Sequence, residues 1–242
     1  MKLLLEEVKH KIKLKLQELD GDGNLKVFKK HDGSQLTNLD IYISNLIRDL
    51  IKDSFKNKYT FFSEEEYEKL DYPAVILDPI DGTKEFIKGI PEWAVSLAVA
   101  ENSELEGFAW IYNPLKEIEV SSENLTKIIG SNADKLVGFV SRTEHEKGLF
   151  PTTENQNITL KPMGSIAFKL ALLARGECDF VLSLRPKNIW DVAAGTMLCA
   201  KQGIFLYHGK SIVRDFTSVR MGPPLLWCRP EKLDFLYHNL IL

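Results

Sequence analysis

Leu5, Val8, Ile12, Leu16 and Leu19 recur at helical spacing, with Lys2, Lys9, Lys11, Lys13 and Lys15 largely elsewhere, which predicts an amphipathic first helix. Such a helix usually docks one face on a core, and a basic one can also lie on a membrane surface; the pattern leaves both open. Charges run throughout Met1 to Leu19 instead of preceding an apolar run, so the segment does not read as a secretory signal. Gly21 to Gly23 marks a turn. A polar stretch through Lys29, Lys30, His31 and Asp32 leads to a second helix. Its apolar positions are Ile41, Ile43, Leu46, Ile47, Leu50 and Ile51, and its cap is Thr37 or Asn38.

From Tyr72 the period changes. Ala74 to Leu77 is a short apolar run that stops at Asp78-Pro79, as a buried strand entering a functional turn does. Val95 to Ala100 and Gly107 to Tyr112 read as neighbouring strands joined by a polar turn at Asn102 and Ser103, with Glu117 to Ser121 as an edge. Helices covering a mostly antiparallel sheet follow for a first half, residues 1–130. Ser121 to Asp134 is polar and weakly patterned, which places a boundary near residue 130. In 131–242, Leu136 to Val140 and Phe180 to Leu184 read as strands, and Ile166 to Ala174 and Val192 to Lys201 as helices, the last stopped near Gly203. The class is α/β: an α+β half followed by an α/β half.

Composition narrows the function without naming it. At 242 residues, 44% hydrophobic and 27% charged, the chain resembles ordinary globular proteins, and no apolar run is long enough to cross a bilayer. A net charge of −3 gives no global basic field, so nucleic-acid binding is not expected and any phosphate recognition must be local. Cys178, Cys199 and Cys228 show no metal spacing and are odd in number, which fits reduced thiols and a cytoplasmic location. Asp20-Gly21-Asp22-Gly23-Asn24 imitates a calcium loop but has Leu25 at its sixth position and His31 at its twelfth. The five histidines are scattered without ligand spacing.

The chemistry concentrates in Asp78-Pro79-Ile80-Asp81-Gly82-Thr83, where two carboxylates three apart lie between a strand and the helical-looking Lys84 to Ile87. Two nearby carboxylates repel unless a hard cation lies between them, and oxygen ligands suit Mg²⁺, which also binds substrate phosphate. Gly82 lets the backbone approach a ligand, and free N–H groups at the next helix start offer an anion site. The competing reading is a type I turn with an Asp cap. Glu64, in the run Glu64-Glu65-Glu66, reads equally as a solvated face. Asp191, in Trp190-Asp191-Val192-Ala193-Ala194-Gly195, reads equally as a helix cap.

Taken together, Glu64, the Asp78–Thr83 segment and the Trp190–Gly195 segment resemble, in order and spacing, the motifs of the inositol monophosphatase superfamily, a likeness running from about Lys30 to Gly203. The resemblance implies a layered αβαβα sandwich. It also implies a phosphomonoesterase in which Glu64, Asp78, Asp81, Asp191 and the Ile80 carbonyl hold two or three Mg²⁺ ions. Thr37-Asn38-Leu39-Asp40 is similar to the family's Thr-x-x-Asp element, which implies that Asp40 and Thr83, with Glu64, orient water toward phosphorus; the alternative for Asp40 is a cap of its helix. Two ions typically ~4 Å apart stabilise both attacking and leaving oxygens, with no covalent phosphoenzyme.

Lys84-Glu85-Phe86, Val140-Ser141-Arg142, Lys169 after Gly164-Ser165, and Asn188-Ile189-Trp190 are similar to their counterparts in the 3'(2'),5'-bisphosphate nucleotidases. That likeness implies a nucleotide bisphosphate as the small phosphate ester, with adenosine 3',5'-bisphosphate going to AMP and phosphate. Substrate would meet Asp81, Gly82, Thr83, Ser141, Ser165 and Asp191. Arg142, Lys169 and Arg185 would take a second phosphate, although each alone is an ordinary surface charge. An inositol or other sugar phosphate is the alternative substrate. A non-catalytic regulator binding RNA or a protein partner is the alternative class, against which the complete acid set speaks. The glycine-rich hairpin usual after the Asn113-Pro114 element is shortened between Leu115 and Lys135, which alters the substrate rim and the contacts of the homodimer that the family implies.

Overall fold

The computed structural model describes residues 1–20, 24–31, 33–55, 58–67, 69–128, 135–150 and 157–240. The turn at Gly21 to Gly23, Asp32 and the boundary near residue 130 lie outside the described residues. Helix α1 (Lys2–Leu19) buries Leu5, Val8 and Ile12 of the stripe that its period predicts and half-buries Leu16 and Leu19. The polar stretch after it forms a hairpin, β1 (Val27–Lys29) antiparallel to β2 (Gln35–Thr37). Its three-residue strands are too short and too exposed to leave a period in the sequence.

Helix α2 (Asn38–Phe55) begins with a reciprocal cap. The Thr37 hydroxyl accepts from the backbone of Leu39 and Asp40, and Asp40 Oδ2 accepts from Thr37 N at 2.7 Å. Ile43, Ile47 and Ile51 are buried, whereas Ile41 faces out, because it lies two residues from Ile43 and therefore on another face of the helix.

A five-stranded sheet follows: β3 (Thr60–Ser63), β4 (Ala74–Asp81), β5 (Ala94–Ala100), β6 (Gly107–Asn113) and β7 (Ile118–Ser121), in that spatial order. It is antiparallel except for the β3–β4 pair. Strand β4 does not stop at Asp78. It continues to Asp81, with the register against β5 shifting between the two acids, so Asp78 and Asp81 belong to an irregular strand end. Helix α3 (Thr83–Ile87) comes next.

The second sheet contains β8 (Leu136–Ser141), β9 (Ile158–Met163), β10 (Phe180–Ser183), β12 (Phe205–His208), β13 (Ser211–Ile212) and β15 (Leu225–Cys228), in the order β13-β12-β15-β10-β8-β9. The β10–β8–β9 part is parallel and the rest antiparallel. Short β11 (Lys187–Asn188) pairs with β14 (Arg220–Met221). Around these lie α4 (Arg142–Glu146), α5 (Ile166–Ala174), α6 (Ile189–Lys201), a 3-10 turn (Pro230–Lys232) and α7 (Leu233–Leu240).

Alternation along the strands sorts the layers. Val75 and Leu77 join α1 and α2 on one face of the first sheet, while Ala74 and Ile76 turn to α5 and α6 on the other. Val181, Leu206 and Trp227 of the second sheet close that middle layer, and Leu182, Tyr207 and Leu226 face Leu236 and Leu240 of α7. The result is the layered αβαβα sandwich. Helices α5 and α6 are apolar nearly all round because sheets cover both sides. They pack so closely that a Cβ on Gly195 would stand 2.5 Å from Leu170 Cβ.

Candidate active site

Two strand ends and two helix starts converge on one cavity of about 290 Å³. Asp78 and Asp81 come from β4, Asp191 from the first turn of α6, and Ser165 from the start of α5. One carboxylate oxygen each of Asp78, Asp81 and Asp191 lies within 4.8 Å of the others. Protein donors hold each acid in place. Ile80 N donates to Asp78 Oδ1 at 3.0 Å, and Asn188 N to Asp191 Oδ2 at 2.8 Å. The Ser165 hydroxyl donates to Asp81 Oδ2 at 2.6 Å, and Ala167 N donates to the same oxygen. Asp191 is thus an N3 residue in a capping box with Asn188 as well as a cluster member. The helix starts at Ile189, earlier than its apolar run indicates, because this box supplies the first turn.

Such crowding has an electrostatic consequence. Burial, and then the charges of Glu64, Asp81 and Asp191, push the Asp78 carboxyl well above the ordinary range. Burial and then Asp81 push Asp191 up to about 8, against Lys187 and the Asn188 N–H. Burial also raises Asp81, opposed by the Ser165 hydroxyl, the Ala167 N–H and Lys169. Acids packed this way ionise together only beside a cation. An all-oxygen donor set of several carboxylates suits Mg²⁺ and offers no soft ligand to zinc or copper.

Glu64 follows β3, anchored by its N–H to Leu77 O at 3.0 Å. Its Oε1 accepts from Lys30 Nζ at 2.8 Å, and Lys30 also reaches Glu65 at 2.9 Å. Burial works against the Lys30 ammonium, but Glu64 and Glu65 outweigh it and raise its pKa. Burial likewise lifts Glu65, to about 7.

Asp40 is 1% exposed and does not line the cavity. Thr83 connects it to the site: the Thr83 hydroxyl lies 3.5 Å from Asp40 Oδ1 and 3.0 Å from Ile80 O. Burial raises Asp40 to about 6, against two hydrogen bonds from Thr37. Gly82 turns the chain between β4 and α3 at φ +99°, and a Cβ there would meet Glu92 O at 3.0 Å and Trp93 Cβ at 3.1 Å. The position therefore requires glycine.

The cavity brings together Glu64, Asp78, Ile80, Asp81, Gly82 and Thr83 with Ser141, Arg142, Ser165, Lys169 and Asp191. Arg185 is not among them. It is exposed, with its carbonyl accepting from the Ser183 hydroxyl, and Lys187 lines the wall two residues later. Lys169 is buried, donates to the carbonyls of Met163 and Gly164 at 3.0 and 3.1 Å, and is lowered by burial to about 8. Sequence reasoning did not single out Lys30, Glu92 or Lys187. Lys30 and Glu92 lie on irregular connections and Lys187 in the two-residue β11, where neither period nor motif marks them.

The whole-chain comparison decides the kinship: the family model for the inositol monophosphatase family matches residues 1–221. The chain belongs to the inositol monophosphatase family. A curated relative, the Nus factor SuhB of Escherichia coli, is 32% identical over 205 residues, covering 76% of this chain and 72% of its own. The fructose-1,6-bisphosphatase/inositol-1-monophosphatase of Thermotoga maritima is 28% identical over 201 residues, with the same coverage. Among solved structures, an IMPase of Thermotoga maritima superposes with a TM-score of 0.79 at 22% identity, covering 99% of this chain and 96% of that one. Like other inositol monophosphatase family members, the protein is a Mg²⁺-dependent phosphoric monoester hydrolase acting on small phosphate esters. Among the described residues, no helix is long and apolar enough to cross a membrane.

Proposed function

We propose that the protein is a 3'(2'),5'-bisphosphate nucleotidase that hydrolyses adenosine 3',5'-bisphosphate to AMP and phosphate. One observation carries this reading: the cavity that holds the acid cluster is also lined by four cations, Lys84, Arg142, Lys169 and Lys187. A monoester held at a Mg²⁺ site needs few further cations, whereas a second phosphate needs its own.

In this reading Glu64, Asp78, Asp81, Asp191 and the Ile80 carbonyl would hold Mg²⁺, which would supply charge neutralisation of the phosphate and of the leaving alkoxide. The protein's residues handle the proton. Thr83 Oγ1 donates to Asp40 Oδ1, and Asp40, raised to about 6, is largely ionised at neutral pH and accepts the proton that an attacking water passes through Thr83. Glu64 orients that water, and Lys30 fixes Glu64. Ser165 keeps Asp81 in place. Ser141 and Arg142 face the second phosphate, a role that Lys187 shares in place of the exposed Arg185.

Steady-state kinetics on adenosine 3',5'-bisphosphate, inositol 1-phosphate and fructose 1,6-bisphosphate test the assignment. The nucleotide's kcat/KM exceeds the others by at least about tenfold in this reading. Equal or better turnover of inositol 1-phosphate moves the substrate to the sugar phosphates. The name of the E. coli relative, a Nus factor, favours a second reading, a regulator that binds RNA or protein. That reading gains if the protein releases no phosphate from any of the three.

A further inference from the structure

Glu92 lies on the connection between α3 and β5, and its side chain reaches the second sheet's end of the cavity. Its Oε2 accepts from Arg142 Nη2 and, at 2.8 Å, from Gly164 N. Arg142 opens α4, and Gly164 precedes Ser165, the residue that holds Asp81. One carboxylate oxygen therefore ties Arg142 to the turn that supports Asp81. Among the described residues Glu92 is the one side-chain partner of the Arg142 guanidinium, whose Nε is buried without a partner.

We propose that Glu92 is a positioning residue: by fixing Arg142 it sets the preference for bisphosphorylated over monophosphorylated esters without touching either phosphate. This rests on the proposed second-phosphate role of Arg142. An unrestrained guanidinium on a flexible stem loses rotamer freedom when it binds phosphate, whereas one already held by a carboxylate keeps its remaining N–H groups aimed and loses little. Lys84 and Lys187 supply further positive charge at the same cavity, so the gain from orientation outweighs the charge that Glu92 neutralises.

The test compares two substrate pairs, adenosine 3',5'-bisphosphate with adenosine 3'-monophosphate and fructose 1,6-bisphosphate with fructose 1-phosphate. The proteins are the wild type, Glu92→Gln, Arg142→Ala and the double variant. Glu92→Gln keeps an oxygen acceptor for Gly164 N, so the Ser165 turn keeps its support, and it exchanges the charged tie to Arg142 for a weaker one to a neutral amide. The KM advantage of the bisphosphate member falls about tenfold in Glu92→Gln, with kcat for both members moving in parallel. Arg142→Ala lowers the advantage at least as far, to what Lys84 and Lys187 still supply, and adding Glu92→Gln to it changes nothing further. A loss of kcat alike on both members, or a full Glu92→Gln effect in the Arg142→Ala background, overturns the proposal. So does a wild type with no preference for a second phosphate in either pair. A wild type that prefers the fructose pair refutes the nucleotide assignment alone, and Glu92 is then judged on that pair.

Discussion

Replacing Asp191 by Asn should stabilise the protein without metal and destabilise it, relative to wild type, with metal. The substitution preserves shape, and the amide oxygen can still accept from Asn188 N. It removes one of three acidic groups gathered within 4.8 Å, whose ionisation together is unfavourable without metal. Two like charges at that distance repel by about 3.5 kcal/mol at an effective dielectric of ~20. Water in the open cavity screens the half-buried Asp191, which reduces the expected gain to about 1–2 kcal/mol. For a chain of this size that raises the melting temperature by about 5 °C in EDTA at pH 8.

The pH dependence has a definite sign. Asp191 sits at about 8 in the folded metal-free protein and at about 3.9 unfolded. Between these values the folded state binds more protons, so wild-type stability in EDTA falls as pH rises from about 4 to about 8. The advantage of Asp191→Asn should therefore be small at pH 5 and full at pH 8. Saturating Mg²⁺ at about 100 times its dissociation constant adds about 2.7 kcal/mol to wild type and less to the variant, reversing the order. Differential scanning fluorimetry across pH, in EDTA and in Mg²⁺, reads all of this. A variant less stable than wild type in EDTA at pH 8 would refute the reasoning, because the three acids would then not be straining the fold.

Thr83→Val should lower kcat by about a hundredfold with Mg²⁺ affinity retained, since it removes only the hydroxyl between Asp40 and the cavity; phosphate release and metal titration check this. Gly82→Ala should lower stability by about 1–3 kcal/mol in chemical denaturation, because φ is +99° and the added Cβ meets Glu92 O at 3.0 Å. Gly195→Ala should cost about 1–3 kcal/mol, since its Cβ would overlap Leu170 between α5 and α6; a loss under 0.5 kcal/mol would show that the two helices can separate freely.

Long periodic segments were readable from sequence. The α1 stripe, the second helix, the Val95 to Ala100 and Gly107 to Tyr112 strands and the apolar α5 each bury most of the residues that their pattern selects. Ile41 and the end of β4 were misread for local reasons. Ile41 lies off the buried stripe, and Asp-Pro looks like a strand stop although β4 runs through it with a register shift. The short strands β11, β13 and β14, two residues each, are held by pairing partners remote in sequence and leave no periodic trace. At the site, the spacing of Asp78 and Asp81 suggested a cation pair and the family resemblance added Glu64 and Asp191; the structure brings Asp78, Asp81 and Asp191 within 4.8 Å of one another. Glu92 sits on a connection that folds back and Lys187 in a two-residue strand, neither of which spacing encodes, and Arg185, expected at the second phosphate, is exposed and outside the residues that line the cavity.

The most direct test titrates Mg²⁺ while measuring phosphate release from adenosine 3',5'-bisphosphate by the wild type and by Asp81→Asn, with circular dichroism to show that both are folded. The account predicts no release without metal, saturable release by wild type, and at least about a thousandfold less by the folded variant at every Mg²⁺ concentration. Release by wild type in EDTA, or comparable release by Asp81→Asn, would contradict it.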